Sequence, residues 1–268
     1  MKKASICLLL SNNYVGTVYS FEKSGFKIVE KESEFVVKDA PKEYIKVIGN
    51  EQVELLVAYR KHSDARTIEY FKNIADECIE LESDDNDATA YNKLFIKAKH
   101  EYVCIMQPDV FLQEHWLTEL MHSHEIIDNS GVVSIPNNLD NVAFSPLLDY
   151  SKENFINVFI PNNNLVNKNG VCLFLRQYLY LIGAFDESVI LDGNELNQFQ
   201  MRCTAKGFNN YYIPSQSCII IRDHKVSKNQ AVSDENLKKT LAEMKAVKNY
   251  YIALMDDFTR ENRNSLPE

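Results

Sequence analysis

The sequence predicts an α/β protein with a doubly wound, mostly parallel central sheet and helices on both faces. Three short apolar runs, at 5–10, 53–59 and 102–106, are each bounded by polar residues, and a helix-like run at 65–74 follows the second. Such continuous apolar strands, unlike alternating ones, are typical of a parallel sheet whose two faces are both covered. We therefore expect the three runs to be buried strands of this sheet.

The chain between and after these runs predicts further elements. Residues 21–50 alternate charged and apolar side chains, which favours an added hairpin or an irregular insertion over another βα unit. A helix is expected over 113–127, followed by a short strand at 132–135. His122 and His124 lie about 200° apart around this helix, so we expect a solvated pair and no shared metal. The apolar face of the helix comprises Trp116, Leu117, Leu120 and Met121.

The second half of the chain is predicted to contain a long loop and then alternating strands and helices. Residues 137–169 are rich in Asn and Pro and show no periodicity, as expected of a surface loop near a ligand. Strand-like runs follow at 171–175, 211–213 and 217–222, and helical runs at 177–182 and 194–206.

Composition excludes several classes of protein. The chain has 268 residues, 45% of them hydrophobic, and a formal net charge of −9, which disfavours general nucleic-acid binding. The N-terminal apolar run 6–10 is far shorter than the ~20 residues that span a bilayer, and no cleavable signal peptide is evident. We therefore expect a cytoplasmic protein. Its six cysteines contain no C-x-x-C pair and are expected to be reduced core thiols.

Candidate ligand-binding residues follow the three apolar strands. In an open α/β sheet, ligands bind at the carboxyl ends of the parallel strands. Such a set of polar side chains could hold a nucleotide. The candidates are Ser11, Asn12 and Asn13 after the first strand, Lys61, His62, Ser63 and Asp64 after the second, and Gln107 and Asp109 after the third.

A series of motifs occurs in a defined order over most of the first 225 residues. They read ICLLLSNN, LLVAYRKHSD, ATAYNKLFIKAKHEYVCIMQPDVF, LIGAFDE, MRCTAKGFNN and RDH. This order resembles glycosyltransferase family 2, in which a D-x-D-like motif is followed by a G-G-F-D-E element, an E-D helix and a late His. Gln107-Pro108-Asp109 is similar to the N-P-D variant of rhamnosyltransferase-like members. The resemblance implies one GT-A-like domain over 1–230 and a helical extension over 231–268.

The resemblance further implies a nucleotide-sugar donor and a divalent ion, Mg²⁺ or Mn²⁺. Asp109 and His224 are the residues expected to hold the metal and the donor diphosphate. A hard divalent cation takes oxygen ligands and stabilises the charge that develops on a departing diphosphate. The residues expected to line the nucleotide cleft are Ser11, Asn12, Asp64, Asn92 and Asp109.

The acceptor side is implied by the same resemblance. Inverting transfer needs a carboxylate that takes the proton of the attacking hydroxyl. Leu196 stands where the family has its catalytic Asp, so Glu195 or Asp192 is the predicted base. The residues expected beside the acceptor come from the G-A-F-D-E element and are Phe185, Asp186 and Glu187.

The activity implied is the transfer of a sugar, with inversion, to a hydroxyl of a glycan, lipid carrier or protein. Leu196 and Gln107 motivate an alternative, a catalytically degenerate binding or scaffolding subunit of a glycosylation complex. A nucleotidyltransferase is a further alternative, disfavoured because no Gly-rich, Lys-bearing phosphate loop stands near the N-terminus.

A long helix is predicted to close the chain over 234–260. Its apolar residues recur at alternating three- and four-residue steps, which favours packing across the domain. The alternatives are a homodimer seam or docking to the inner surface of a membrane, helped by lysines on the same helix.

Overall fold

The computed structural model describes much of the chain. The described residues are 2–10, 14–31, 44–108, 110–112, 115–135, 160–161, 170–188, 195–213 and 219–220. The closing helix 234–260 and nearly all of the loop 137–169 lie outside them, as do six candidate site residues, Ser11, Asn12, Asn13, Asp109, Asp192 and His224. Within the described ranges, no helix has the length and apolar character that crossing a membrane requires.

Strands and helices alternate along most of the described chain. The strands are β1 Lys3–Leu9, β2 Phe26–Glu30, β3 Tyr44–Ile48, β4 Glu51–Tyr59, β5 Glu77–Glu80, β6 Tyr102–Met106, β7 Val110–Phe111, β8 Ser130–Ile135, β9 Ile160–Pro161, β10 Val171–Leu175, β11 Asn209–Tyr212 and β12 Ile219–Ile220. The helices are α1 Tyr14–Lys23, α2 Ala65–Ile74, α3 Asp87–Lys97, α4 Trp116–Ile126, α5 Tyr178–Leu181 and α6 Glu195–Ala205.

The predicted doubly wound, mostly parallel α/β sheet is confirmed. The described strands form a ten-stranded sheet in the order β2-β3-β4-β1-β6-β10-β8-β11-β9, with β5 beside β4, and a separate pair of β7 and β12. The three predicted apolar strands are neighbours in it, because β1 lies between β4 and β6 and is parallel to both. Antiparallel pairs join β10 to β6 and β8, and β9 to β11.

The predicted insertion at 21–50 contains an antiparallel hairpin, one of its two expected forms. Strands β2 and β3 pair along their full length, and β3 continues onto the first residues of β4. The carboxyl half of the same edge of β4 pairs with β5 instead. Strand β4 therefore pairs with two neighbours along the same side, the hairpin at its beginning and β5 at its end.

Side chains of the central strands alternate between two apolar cores. In β4, Leu55 and Val57 face one core, and Leu56 and Ala58 face the other. Helices α1, α2 and α4 cover the first face, and α3, α5 and α6 cover the second. The predicted apolar face of α4 is confirmed, since its four residues are fully buried in the first core. Each buried large side chain contributes on the order of 1.5–3 kcal/mol to folding.

Helix α1 was not predicted from the sequence. Its β-branched residues and Gly16 lower its intrinsic helix propensity. Val18 and Phe21 are buried against the sheet, and the turn after the helix is tied to α4, because Trp116 donates its indole N–H to the Ser24 carbonyl at 3.0 Å. Tertiary packing therefore forms this helix despite its composition.

The described cysteines are free thiols, as predicted. Burial raises the pKa of Cys172 and of Cys203 to about 12, and raises the pKa of Cys7 and Cys104 as well. Cys78 is half-buried and its pKa is raised for the same reason. Such thiols stay protonated at neutral pH and are poor nucleophiles or metal ligands.

His124 contradicts the predicted solvated pair on α4. His122 is exposed, but His124 is only 7% exposed. Its Nδ1 lies 2.6 Å from the hydroxyl of Ser130, and the rings of Tyr102 and Tyr178 flank it. Burial lowers the pKa of His124 from 6.5 to about 4.

We predict that this histidine makes the protein less stable in acid. Its folded-state pKa lies below its unfolded value, so the unfolded chain binds the proton more readily and stability falls as pH drops from about 6.5 to about 4. At about 1.4 kcal/mol per pKa unit, the loss is about 3 kcal/mol. Denaturant unfolding at several pH values across this range should show a smaller loss of unfolding free energy in His124→Gln than in the wild type. The loss in His122→Gln should equal that of the wild type. A wild-type pH dependence in His124→Gln would contradict the assignment.

Candidate functional site

Strands β1, β4 and β6 end at one edge of the sheet, which we call the carboxyl edge. Arg60 follows β4 there, and its Nη2 lies 2.6 Å from Oδ1 of Asp87, in the first turn of α3. Helix α3 therefore begins at the carboxyl edge and runs back along the second core. The ion pair holds the Arg60 guanidinium at the edge where open α/β sheets bind ligands.

Asp64, a predicted nucleotide-binding residue, caps helix α2. Its carboxylate accepts from the backbone N–H of Arg66 at 2.9 Å and of Thr67 at 3.4 Å, and it also pairs with the Arg66 guanidinium. Hydrogen bonding to Arg66 lowers the pKa of Asp64. These contacts are those of a helix N-cap, and contact with a nucleotide stays a prediction.

The residues 182–188, here called the 182–188 segment, contain the G-A-F-D-E element and lie along α3 and α6. Arg202 of α6 donates from Nη1 to the carbonyl of Ile182 at 3.1 Å and from Nη2 to that of Ala184 at 2.6 Å. Gly183 between them has φ +90°, and a Cβ on it would lie 3.1 Å from the Arg202 Nη1. The guanidinium thus satisfies two carbonyls around a left-handed glycine that brings the backbone close.

Asn92 of α3 holds the same segment from the other side. Its Oδ1 accepts from the backbone N–H of Phe185 at 2.9 Å, and its Nδ2 donates to the Phe185 carbonyl at 2.9 Å and to Oε1 of Glu187 at 2.7 Å. Asn86, the N-cap of α3, donates to the Glu187 carbonyl at 2.8 Å. The segment therefore extends along α3 to the carboxyl edge.

The three predicted acceptor residues have different surroundings. Phe185 is 5% exposed and lies in an aromatic cluster, with the ring of Phe95 at 5.2 Å and that of Phe199 at 5.7 Å. Asp186 and Glu187 are exposed. Hydrogen bonds from the hydroxyl and backbone N–H of Ser188 lower the pKa of Asp186. The buried ring fixes the segment, and the two carboxylates face solvent.

Glu195, a predicted base, is the first residue of α6 and is 7% exposed. A carboxylate in the first turn is stabilised by the helix dipole. Burial raises the pKa of the Tyr91 phenol well above 10, and the charges of Asp87 and Glu195 add to the shift. Leu196, beside Glu195, is partly buried against the second core.

The structure thus gathers part of the predicted site around one helix. Helix α3 contacts Arg60 through Asp87 and the 182–188 segment through Asn92, whereas Asp64 caps α2. Sequence reasoning missed Asn86 and Asp87, although an Asn before an amphipathic run is a helix N-cap signal. Among the described residues, no group of three His, Cys, Asp or Glu side chains has a metal-binding arrangement.

Comparison with solved structures relates this architecture to known folds. The chain is similar to the mannosyltransferase PcManGT from Pyrobaculum calidifontis, solved with GDP-Man and Mn²⁺, at a TM-score of 0.55 and 14% identity, over 83% of this chain and 58% of that one. It is also similar to residues 1–349 of TarS from S. aureus, at a TM-score of 0.51 and 14% identity, over 82% and 60% of the two chains.

A complex of the same part of TarS with UDP-GlcNAc matches at a TM-score of 0.50 and 14% identity, over 92% of this chain and 66% of that one. The chain therefore spans less than two thirds of the length of these structures. No protein-family model and no curated protein sequence matches it. The structural likeness shows the fold: this chain has the GT-A-like α/β fold of these glycosyltransferases, as the motif order predicted.

Proposed function

We propose that the protein transfers a sugar from a nucleotide-diphosphate donor to a hydroxyl of a glycan, lipid-linked or protein acceptor, with inversion at the anomeric carbon. The observation that carries the proposal is that the 182–188 segment joins α3 to α6, the helix that begins with Glu195, within a GT-A-like fold. The similar structures were solved with UDP-GlcNAc and with GDP-Man and Mn²⁺. A donor of the same chemical class is the ligand proposed here.

Donor binding is assigned to the carboxyl edge. Ser11 and Asn12 are proposed to line the nucleotide cleft, with Asp64 and Asp109 also in contact with the donor. Asp109 and His224 are proposed to hold Mg²⁺ or Mn²⁺, since a carboxylate and an imidazole are both ligands that Mn²⁺ accepts. The ion would supply positive charge for the departing diphosphate.

Proton removal from the acceptor is assigned to a carboxylate near the start of α6. The acceptor oxygen bonds to the anomeric carbon, the bond from that carbon to the diphosphate breaks, and the hydroxyl proton goes to the carboxylate. Glu195 is the described candidate, and Asp192, three residues earlier, is the other. The acceptor is proposed to lie beside Phe185, Asp186 and Glu187.

A second candidate function is a scaffolding subunit that keeps the fold without catalysis. Leu196 favours it, because this residue stands where the related family has its catalytic Asp and packs partly against the second core. A leucine cannot accept a proton. Measuring turnover as well as binding separates the two functions.

The cellular setting is part of the proposal. We propose that the protein is cytoplasmic. We also propose that it does not bind nucleic acid, because its formal net charge is −9. The helix predicted at 234–260, outside the described residues, is proposed to pack on the domain. A homodimer seam or docking to the inner membrane surface is the alternative role for its apolar stripe.

We predict that one nucleoside diphosphate, presented with Mn²⁺, raises the melting temperature. A ligand that binds only the native state stabilises it by about 2.7 kcal/mol at 100 times its Kd. A thermal-shift screen of UDP, GDP, dTDP and CDP, each with and without Mn²⁺, identifies the nucleobase of the donor. Asp109→Ala should abolish the metal-dependent part, whereas Asp128→Ala, an exposed carboxylate beyond the far end of α4, should not. Equal shifts in both variants would overturn the role of Asp109.

We predict that Glu195→Gln lowers sugar transfer by at least about 100-fold while nucleotide binding is kept, because it removes the proton acceptor. Release of nucleoside diphosphate from the cognate donor is the measurement. Unchanged turnover in Glu195→Gln with a loss in Asp192→Asn would move the role to Asp192. Release of pyrophosphate from a nucleoside triphosphate and a sugar phosphate would instead indicate nucleotidyl transfer.

A further inference from the structure

Both N–H donors of the Asn92 side chain are engaged with the 182–188 segment. A carboxamide has two N–H donors, and those of Asn92 go to the Phe185 carbonyl and to Oε1 of Glu187, while its oxygen accepts from the Phe185 N–H. A nucleotide could use this amide as a donor only by displacing one of these bonds. Half-burial of Asn92 makes such a loss costly.

Helix α3 connects this contact to the carboxyl edge. Asp87 in its first turn pairs with Arg60 at the end of β4, and Asn86 at its N-cap binds the Glu187 carbonyl. One rigid element of 11 residues therefore bears both a residue at the edge where the donor would bind and the amide that orients Glu187. A fixed distance between the two is what transfer between two bound substrates requires.

We propose that Asn92 is a positioning residue for sugar transfer, acting through the Phe185 backbone and the Glu187 carboxylate, and that it is not a nucleotide ligand. This inference rests on the proposed function and replaces the nucleotide role that the motif resemblance implied for Asn92. Asn92 holds Oε1 of Glu187, which leaves Oε2 to accept a hydrogen bond from the hydroxyl of the incoming acceptor. The ligand class is therefore an acceptor that bears a hydroxyl group.

The first test separates binding from turnover in Asn92→Ala. The probes are UDP and GDP with Mn²⁺ for affinity, and UDP-GlcNAc and GDP-mannose for release of nucleoside diphosphate, with glycerol and free monosaccharides as hydroxyl acceptors of the sugar. We expect nucleotide Kd to stay within about twofold of wild type and release at saturating donor to fall about tenfold or more. Ile96→Ala, an exposed position on the same helix, should change neither.

The second test uses Asn92→Asp, which places two carboxylates in contact. Two such groups cannot both ionise cheaply, so one of them holds a proton more tightly. The other charged groups on this part of α3, Asp87 and Lys93, are paired with Arg60 and Asp85. The Asn92→Asp defect in release should therefore shrink as pH falls from 8 to 5, and Glu187→Gln in the same chain should restore part of the turnover at pH 8 by returning an amide to the pair.

The outcomes separate this inference from the proposed function. A loss of nucleotide affinity in Asn92→Ala with normal release at saturating donor would overturn the inference and leave the proposed function intact. A defect in Asn92→Asp that neither low pH nor Glu187→Gln relieves would also overturn it, since Asn92 would then be only a structural residue. Wild-type protein that binds no nucleotide, or binds without releasing it from a donor, would overturn both.

Discussion

The structure depends on the burial of β1 from both faces. Because β4 and β6 flank this strand and pair with it in parallel, its apolar side chains need helices above and below the sheet. Parallel strands also need crossover connections, and helices such as α2 and α3 provide them on opposite faces. With both faces covered, the loops at the ends of the strands are where polar groups can gather, and the candidate site lies at one of these ends.

The site depends on side chains that satisfy an irregular backbone. The 182–188 segment follows the short helix α5 and belongs to no strand, so its carbonyl and N–H groups need partners from elsewhere. Arg202, Asn92 and Asn86 provide them from two helices. Polar residues of the kind that sequence motifs mark as functional thus also stabilise the backbone of the segment. Their function therefore has to be inferred from the contacts of each polar atom.

Sequence patterns predicted several of the regular elements, but not α3 or β5. The bounds of α2 and β6 agree with the predicted runs, because both have strong periodicity and clear polar boundaries. Helix α1 was missed because packing of Val18 and Phe21 outweighs its low propensity, and His124 was misplaced because helical spacing alone does not say which neighbours cover a face. The motif order predicted the fold, whereas the partners of Asn92 are up to 95 residues away in sequence and required coordinates.

Two different neighbours pair with the two halves of β4 along the same side of this strand. The hairpin β2–β3 pairs only with the first residues of β4, while the end of that strand, which leads to Arg60, pairs with β5. Substitutions in the hairpin therefore act first on the beginning of β4, whereas the strand end that leads to the candidate site pairs with β5. The hairpin and the candidate site thus contact opposite ends of one strand.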